Sequence, residues 1–271
     1  MNKLLVLCGR RDSGKTKLGN YLTGYVLRQN KVIKNFGITE SGDLVVNSYW
    51  LDENGNNVEG EGVLDLKART NEHIDYFSKN VWPHIKCYQM VDIVKVFASM
   101  MFDVNEGKKT HVNWSNMFRF MPPFDVKEAK EKGKQEKSVP YSEFIDILNY
   151  EVLSVIKPTF MTDFLIRVMK EESSAFSVVL DCKSKTDAEL IKKVFPEAKF
   201  LWLEPDHTKK EYDKKEKDLE TLKDFEFDYT VKVDGNYILG VQEKLIEWGF
   251  LSEFKPDPIV NSVTTNIFKE K

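Results

Sequence analysis

The sequence predicts an α/β fold in which helices flank a mostly parallel β-sheet. Short apolar runs of strand length alternate along the chain with longer segments whose apolar residues recur at helical spacing. The first run, residues 3–8, is apolar on both faces, which is typical of a strand that is covered on both sides. Because parallel strands need a crossover connection, this alternation favours a mostly parallel sheet. We expect one domain that spans residues 1–271.

The individual elements are predicted from length and periodicity. The runs that are short enough for strands are residues 3–8, 86–90, 177–180, 199–203 and 229–233, of which 86–90 is the least marked. The segments with helical periodicity are residues 15–29, 71–82, 91–102, 140–155, 162–172, 186–194 and 239–248.

Residues 39–62 have a different pattern, which predicts a β-hairpin inserted into the α/β chain. Turn signals at Ser41-Gly42-Asp43 and at Asn54-Gly55 flank two short strand-like stretches. Three roles are open for this hairpin: a cover over a binding site, a contact with another subunit, or a surface addition without a role. Two more stretches, residues 125–138 and 205–226, are dense in charges of both signs and are expected to be exposed.

The composition excludes several classes of protein. The chain has 40 Lys and Arg against 43 Asp and Glu, and a net charge of −3 argues against a strongly basic surface for nucleic acid. No apolar run reaches the roughly 18 residues of a membrane span. Cys8, Cys87 and Cys182 lie far apart without Cys-x-x-Cys spacing, which is typical of reduced thiols in a cytoplasmic protein. We therefore expect neither a membrane nor nucleic acid as a partner.

Residues 9–16 carry the strongest functional signal. Gly9-Arg10-Arg11-Asp12-Ser13-Gly14-Lys15-Thr16 matches the pattern GxxxxGK[ST], with a predicted strand before it and a predicted helix after it. A polyphosphate needs successive backbone N–H groups and a helix N-terminus around it, and glycines allow the backbone to approach closely. The pattern therefore predicts a P-loop NTPase-type sheet whose loop binds ATP and Mg²⁺.

Each position of the P-loop has an expected role. The residues expected to bind ATP are Gly9, Arg10, Asp12, Ser13, Gly14, Lys15 and Thr16. Lys15 would reach the β- and γ-phosphates, and the Thr16 hydroxyl would bind Mg²⁺. The motif alone does not separate kinases from motors, GTPases and transporters, although the lack of an NKxD motif weakens the GTPase interpretation.

Asp181 is the second candidate metal ligand. It follows the predicted strand 177–180 and precedes Cys182 and Lys183. Two roles are open for its carboxylate: it could hold a Mg²⁺-bound water, or it could cap the turn into the next helix.

Several segments beyond the loop carry recognisable patterns in a fixed order. They are Tyr88-Gln89-Met90-Val91-Asp92-Ile93-Val94-Lys95, then Lys109-Thr110-His111-Val112-Asn113-Trp114-Ser115-Asn116-Met117, then residues 143–148 and 164–172, and finally Asp181-Cys182-Lys183-Ser184-Lys185-Thr186-Asp187-Ala188-Glu189. Together with the loop, they resemble the bacteriophage-type deoxynucleoside monophosphate kinases. The first is similar to that family's Phe-Ala-Asp-Pro-Leu-Lys segment, the second to its Thr-His-x-x-Trp-x-x-Met stretch, and the last to its Asp-x-Arg-x-x-x-Glu-Ala turn.

The resemblance implies transfer of the γ-phosphoryl group from ATP to a deoxynucleoside 5′-monophosphate, with Mg²⁺ at Thr16 and Asp181. Phosphoryl transfer depends on positioning and on charge neutralisation more than on covalent chemistry. The side chains that would supply the catalytic cations are Lys15, Arg11, Arg167 and Lys183. The charged segment 205–226 would be a lid that closes over the phosphates.

For the acceptor, the resemblance implies contacts from Asp92, Lys95, Trp114 and Arg119. Each has a structural alternative. Asp92 could be the N-cap of the helix that begins near it, and Lys95 could be a surface lysine. Trp114 could belong to the core, and Arg119, like Arg167, could form surface ion pairs.

Two departures from the family leave other functions open. The family usually has arginines near the positions of Asn113 and Lys183, and a lysine cannot make the bidentate phosphate contact of an arginine. The alternatives are a P-loop nucleotide-binding protein or ATPase without kinase activity, such as a subunit of an assembly, or a kinase of a polynucleotide end or of another small metabolite. The expected partners are small-molecule nucleotides in the cytoplasm, which is the host-cell cytoplasm if the protein is viral; a homodimer is left open.

Overall fold

The computed structural model describes residues 3–10, 12–51, 57–66, 70–102, 111–113, 138–204 and 221–254. The chain separates into two compact units, Met1–Tyr88 with Glu172–Lys271 and Gln89–Glu171. The expectation of one domain over residues 1–271 stays a prediction.

The elements alternate in the way that the periodicity predicts. The strands are β1 (Lys3–Gly9), β2 (Asn35–Ile38), β3 (Leu44–Leu51), β4 (Asn57–Val63), β5 (Ile85–Tyr88), β6 (His111–Asn113), β7 (Ser138–Pro140), β8 (Phe176–Cys182), β9 (Lys199–Glu204) and β10 (Tyr229–Lys232). The helices are α1 (Lys15–Gln29), α2 (Asn71–Asn80), α3 (Met90–Phe102), α4 (Tyr141–Ile147), α5 (Phe160–Glu172), α6 (Lys185–Val194) and α7 (Tyr237–Glu247). A 3₁₀ turn, Thr221–Asp224, precedes β10.

The first unit contains a parallel sheet of five strands in the order β10-β9-β1-β8-β5. This confirms the predicted α/β fold with a mostly parallel sheet and flanking helices. Strand β1 lies in the centre of the sheet, and Leu5 and Leu7 are completely buried there. They share one apolar core with Val178 of β8 and Leu201 of β9. Burial of a leucine stabilises the fold by about 1.5–3 kcal/mol relative to leaving it exposed.

The order of the strands singles out the carboxyl end of β1. The chain leaves β1 toward the edge formed by β5, whereas it leaves the neighbouring strand β9 toward the opposite edge, formed by β10. In open α/β sheets, ligands bind at the carboxyl ends of strands where successive connections diverge in this way. The fold therefore places the loop after β1 at the position that most favours ligand binding.

Helix α1, which follows that loop, is buried on two sides. A Cβ atom at Gly19 would lie 2.7 Å from a terminal methyl of Leu180 on β8, so this side of the helix lies close against the main sheet. On the other side of the helix, a Cβ atom at Gly24 would collide with Phe36 and would lie 2.8 Å from Leu44. The helix is therefore held between the parallel sheet and a second, smaller sheet.

The small sheet is antiparallel, in the order β2-β3-β4. It confirms the hairpin predicted at residues 39–62 and adds β2, which was not predicted. Leu44 and Val46 of β3 are buried in the same core as α1 and the main sheet. The interpretation of the hairpin as a surface addition is therefore wrong, because its side chains form part of the core.

The second unit is built around α3 and α4. Helix α4 continues as a π-helical segment, Leu148–Leu153, and ends in a helical turn, Ser154–Ile156. The residues that form its core are Val94, Ala98, Phe144, Ile145, Leu148 and Leu153. Strands β6 and β7 pair in an antiparallel manner.

The two charged segments fall largely outside the described residues. Of residues 125–138 only Ser138 is described, and of the predicted lid, residues 205–226, only residues 221–226 are described. Among the described residues, no helix combines the length and the apolar character that crossing a bilayer requires.

Candidate functional site

The candidate site is the loop between β1, which ends at Gly9, and α1, which begins at Lys15. Asp12 and Gly14 have left-handed backbones, with φ of 58° and 77°. Glycine adopts this conformation without strain, and aspartate is one of the few other residues that tolerate it. The turn is closed by the Ser13 N–H, which donates to the Arg10 carbonyl at 3.2 Å. The chain therefore reverses sharply between the sheet and the helix.

The Lys15 side chain folds back into this loop. Its ammonium donates to the Gly9 carbonyl at 2.7 Å, to the Arg10 carbonyl and to the Ser13 hydroxyl at 3.1 Å. Ser13 is only 1% exposed, so one of these acceptors is fixed inside the protein. The loop thus places a fixed positive charge at the carboxyl end of the central strand, as the motif predicts.

The start of α1 adds a second source of positive potential. The first N–H groups of any helix have no acceptor within the helix, and the helix dipole makes that end positive. In the described first turn of α1 there is no acidic side chain, and the N-cap, Gly14, has no side chain to accept a hydrogen bond. Lys15 and Lys17 both lie in this turn. Cations are unfavourable for a helix there, but they suit an anion that binds at the helix end.

The two glycines of the loop pack closely against neighbouring elements. A Cβ atom at Gly9 would lie 2.7 Å from the Leu203 carbonyl oxygen at the end of β9. On the α1 side, the Tyr237 hydroxyl donates to the Gly14 carbonyl oxygen at 3.1 Å, and the Tyr237 ring occupies the space where a side chain at position 14 would lie. Burial raises the pKa of Tyr237 to about 12, so the phenol remains a neutral donor. Both glycines of the motif are therefore required by close packing.

Asp181 lies near the carboxyl end of β8, the strand beside β1. Val6 pairs with Val179, and Cys8 pairs with Cys182, so one more residue of β8 than of β1 lies between these pairs. Such an irregularity redirects side chains and is common beside active sites. The Asp181 side chain is half-buried.

The cap of the helix that follows β8 is Ser184 rather than Asp181. The Ser184 hydroxyl accepts from the Asp187 N–H at 3.1 Å and donates to the Asp187 carboxylate at 2.6 Å. The first of these bonds is an N-cap, and the Ser-x-x-Asp spacing of Ser184 and Asp187 is its signal in the sequence. The N-cap of α6 is therefore Ser184, and both roles left open for Asp181, holding a Mg²⁺-bound water or capping the turn into the helix, stay predictions.

The residues present fit a magnesium ion that is shared with a nucleotide. Mg²⁺ usually keeps several waters and takes one or two protein carboxylates together with phosphate oxygens. Thr16 is exposed in the first turn of α1, and Asp181 lies near the carboxyl end of the neighbouring strand, β8. Among the described residues, there is no group of three or more His, Cys, Asp or Glu side chains that could hold a metal ion. A hydroxyl and a single carboxylate agree with this sparse mode of binding.

Comparisons with known proteins add little to this geometry. No protein-family model matches the sequence, and no curated protein matches it. Among solved structures, the chain is similar to an unliganded sugar kinase from Janibacter sp., with 10% sequence identity and a TM-score of 0.36 over 93% of this chain and 96% of that chain. A likeness at this level carries no argument about fold or activity. The resemblance to the bacteriophage-type deoxynucleoside monophosphate kinases stays a prediction.

The structure gathers the predicted ATP-binding residues in one loop. These are Gly9, Arg10, Asp12, Ser13, Gly14, Lys15 and Thr16. Lys183 is exposed two residues beyond Asp181, between β8 and α6. Three predicted residues, Arg11, Trp114 and Arg119, lie outside the described residues.

The remaining predicted residues lie in the second unit. Asp92 and Lys95 form an ion pair on α3, with 3.7 Å between the carboxylate oxygen and the ammonium. Helix α3 begins at Met90, so Asp92 lies inside the first turn and the interpretation of Asp92 as an N-cap is wrong. Its carboxylate is favourable there because it faces the positive end of the helix. Arg167 is exposed on α5.

Two contacts near the loop were not predicted. One is the hydrogen bond from Tyr237, described above. The other joins Cys8 and Cys182, which are register partners and are buried at 0% and 1% exposure. The hydrogen bond with Cys8, together with burial, holds the pKa of Cys182 well above its usual range. A thiol that stays protonated is a poor nucleophile, so Cys182 contributes packing beneath the loop.

Proposed function

We propose that the loop of residues 9–16 binds the triphosphate of ATP with Mg²⁺, and that the protein transfers the γ-phosphoryl group to a deoxynucleoside 5′-monophosphate. One observation carries the first part: the Lys15 ammonium is enclosed by the loop that follows the central strand, at the positive end of α1. The ordered resemblance to the deoxynucleoside monophosphate kinases supports the second part.

In this proposal the chain's own groups bind and neutralise the donor. The Lys15 ammonium exchanges its loop carbonyls for β- and γ-phosphate oxygens, which satisfies the same donors with a stronger, charge-assisted bond. The backbone N–H groups at the start of α1 bind the β-phosphate side. Thr16 and Asp181 would hold Mg²⁺, which supplies neutralisation of charge on the phosphate oxygens.

The reaction requires the acceptor phosphate to approach a second, highly charged phosphate. An oxygen of the acceptor forms a bond to the γ-phosphorus while the bond between the γ-phosphorus and the β–γ bridging oxygen breaks, so ADP leaves with that electron pair. We assign compensation of the added negative charge to Arg11, Arg167 and Lys183. The Lys95–Asp92 ion pair supports a role for Asp92 in orienting Lys95, while Trp114 and Arg119 would contact the rest of the acceptor.

A coupled ADP-release assay over a panel of deoxynucleoside and nucleoside monophosphates tests this proposal. We expect ADP release to depend on at least one monophosphate. If no monophosphate changed the rate of ADP release, the protein would be an ATPase. If ADP release required a polynucleotide end or another metabolite, the acceptor would belong to a different class of compound. Either outcome contradicts the proposed reaction.

The Lys15→Ala variant tests the donor site in the same assay. We expect turnover to fall by at least ~10²-fold, because the substitution removes a preorganised charge at the transferred phosphate. Lys193→Ala is the matched control, since Lys193 is an exposed lysine in the last turn of α6. An unchanged rate in a folded Lys15→Ala variant would show that the loop does not bind the donor.

A further inference from the structure

We propose that Tyr237 is a positioning residue for the phosphate-binding loop, and that its hydroxyl fixes the Gly14–Lys15 peptide in the orientation that presents the Lys15 N–H to an anion. The inference rests on the proposed function, because it concerns the same loop. It assigns a role to a residue that lies 223 positions along the chain from the loop.

The first step is the geometry of the Gly14 carbonyl. This oxygen accepts two hydrogen bonds, one from the Leu18 N–H at 2.9 Å and one from the Tyr237 hydroxyl at 3.1 Å. The Leu18 bond is the first one of α1, and it directs the carbonyl along the helix. The tyrosine bond is the lateral one, and it ties the helix start to α7.

The second step is the planarity of the peptide bond. The carbonyl of Gly14 and the N–H of Lys15 belong to one trans peptide, so they point in opposite directions. A carbonyl held toward Leu18 and Tyr237 turns the Lys15 N–H outward from the helix end, where an anion would bind. A hydrogen bond to a carbonyl also polarises the peptide and strengthens its N–H as a donor. Tyr237 therefore acts on an anion through the peptide, without touching the anion.

The third step is that Tyr237 is itself held firmly. It is the first residue of α7, and only 7% of it is exposed. It belongs to the main core together with Val241 and Leu245, the next buried residues of that helix. A second bond between the same two helices joins the Tyr21 hydroxyl to the side-chain oxygen of Gln242. Helix α7 can therefore hold the loop in place because it is anchored to the core and to α1.

Gly14, which accepts the hydrogen bond from Tyr237, also supports the role of Tyr237 in positioning the loop. Its left-handed backbone, with φ of 77°, favours glycine, and the Tyr237 ring occupies the space that a side chain would need. The ring and the hydroxyl thus act on one peptide in two ways. The ring excludes a side chain, and the hydroxyl orients the carbonyl.

The test separates the hydroxyl from the ring. Tyr237→Phe keeps the ring and removes only the donor. Tyr25→Phe is the matched control, because the Tyr25 hydroxyl also donates to a backbone carbonyl, that of Ser252 at 2.9 Å, and Tyr25 is also buried. Both variants and the wild type are titrated calorimetrically with ATP·Mg²⁺ and with inorganic tripolyphosphate, and unfolding in urea is measured for all three.

We expect Tyr237→Phe to raise the Kd of both ligands about three- to tenfold, the effect of one hydrogen bond, whereas Tyr25→Phe should change neither by more than about twofold. The two variants should lose similar amounts of stability, so a difference in affinity cannot come from stability alone.

Wild-type affinity in a folded Tyr237→Phe variant would overturn the inference and leave the proposed function intact. Weaker binding of ATP but not of tripolyphosphate would also overturn it, because Tyr237 would then act on the base. Failure of the wild type to bind either ligand would overturn both proposals.

Discussion

The two ends of helix α1 differ in how their charged residues are placed relative to the helix dipole. In the second half of the helix Leu22, Val26 and Leu27 are buried, and Arg28 lies in the last turn, where a cation is favourable. At the first end Lys15 and Lys17 lie in the turn where cations are unfavourable, and a left-handed residue precedes the helix.

The difference shows how one helix divides two tasks. A misplaced cation at the first turn costs about 0.3–1 kcal/mol, whereas each buried leucine stabilises the fold by about 1.5–3 kcal/mol. The buried side chains of the second half therefore offset the unfavourable start. Sequences usually break local rules where a ligand takes part in the energetics. We infer that stability comes from one end of α1 and anion binding from the other.

The largest expected effect lies at the buried end. Leu22 is completely buried, so Leu22→Ala should lower the free energy of unfolding by about 2–5 kcal/mol. Because the substitution leaves the first turn intact, the affinity for ATP·Mg²⁺ should change by less than about twofold at a temperature where the variant is folded.

The matched control for this prediction is Leu239→Ala. Leu239 is a helical leucine on α7 that is 55% exposed, so its loss should stay within about 0.5 kcal/mol. Urea unfolding and calorimetric titration measure both quantities. A folded Leu22→Ala variant that lost affinity as severely as Lys15→Ala would show that the two ends of the helix are not separable.

The tyrosines that join α1 to α7 predict an intermediate effect at alkaline pH. Burial, and then Tyr25, raises the pKa of Tyr21 to about 12, and burial raises that of Tyr237 to about 12. A phenol with a raised folded-state pKa adds stability that is complete below its unfolded value of about 10 and is lost as pH rises through the folded value.

The contribution of these two tyrosines to stability should therefore be level up to about pH 10 and be lost between about pH 10 and 12. Urea midpoints and tyrosinate absorbance over this range check the prediction. The slope should be smaller in Tyr237→Phe, since one of the shifted groups is gone. A slope that is equal in that variant and in the wild type would show that Tyr237 titrates as it does in the unfolded chain.

The smallest expected effect on stability is that of Lys17→Glu, which should change stability and ATP binding in opposite directions. Lys17→Glu places a favourable charge at the start of α1, so it should raise stability by about 0.3–1 kcal/mol. The same change should weaken ATP binding, because a negative charge then faces the phosphates.

Lys193→Glu provides the opposite case, since Lys193 lies in the last turn of α6. There the substitution should lower stability slightly and leave ATP binding unchanged. Urea denaturation and titration with ATP measure the change in stability and the change in affinity of both variants. A Lys17→Glu variant that bound ATP as well as the wild type would contradict the assignment of this helix end to an anion.

Local patterns were sufficient to predict much of this molecule. Apolar runs such as residues 177–180 and 199–203 predicted strands, because a buried strand of a parallel sheet is apolar on both faces. The loop was predicted from Gly9 and from Gly14-Lys15-Thr16, since the motif encodes its backbone geometry in consecutive residues.

The features that were missed depend on contacts between distant residues or on weaker signals. Strand β2 has only four residues, each half-buried, and among the described strands it pairs with β3 alone. The bond from Tyr237 to Gly14 arises from packing of elements at opposite ends of the chain, and helix α7 begins two residues before the predicted position 239. Ser184, in contrast, has a readable signal in the sequence, because Asp187 follows it at the spacing of an N-cap motif.

The most direct test of the account follows the backbone amides of α1 by nuclear magnetic resonance during a titration with ATP·Mg²⁺. We expect saturable shifts of the amides of Lys15, Thr16 and Lys17, with residues 22–27 unchanged, because only the first end of the helix meets the phosphates. Saturable shifts at residues 22–27 without shifts at 15–17, or no saturable shift at all, would contradict the claim that the start of α1 is an anion-binding site.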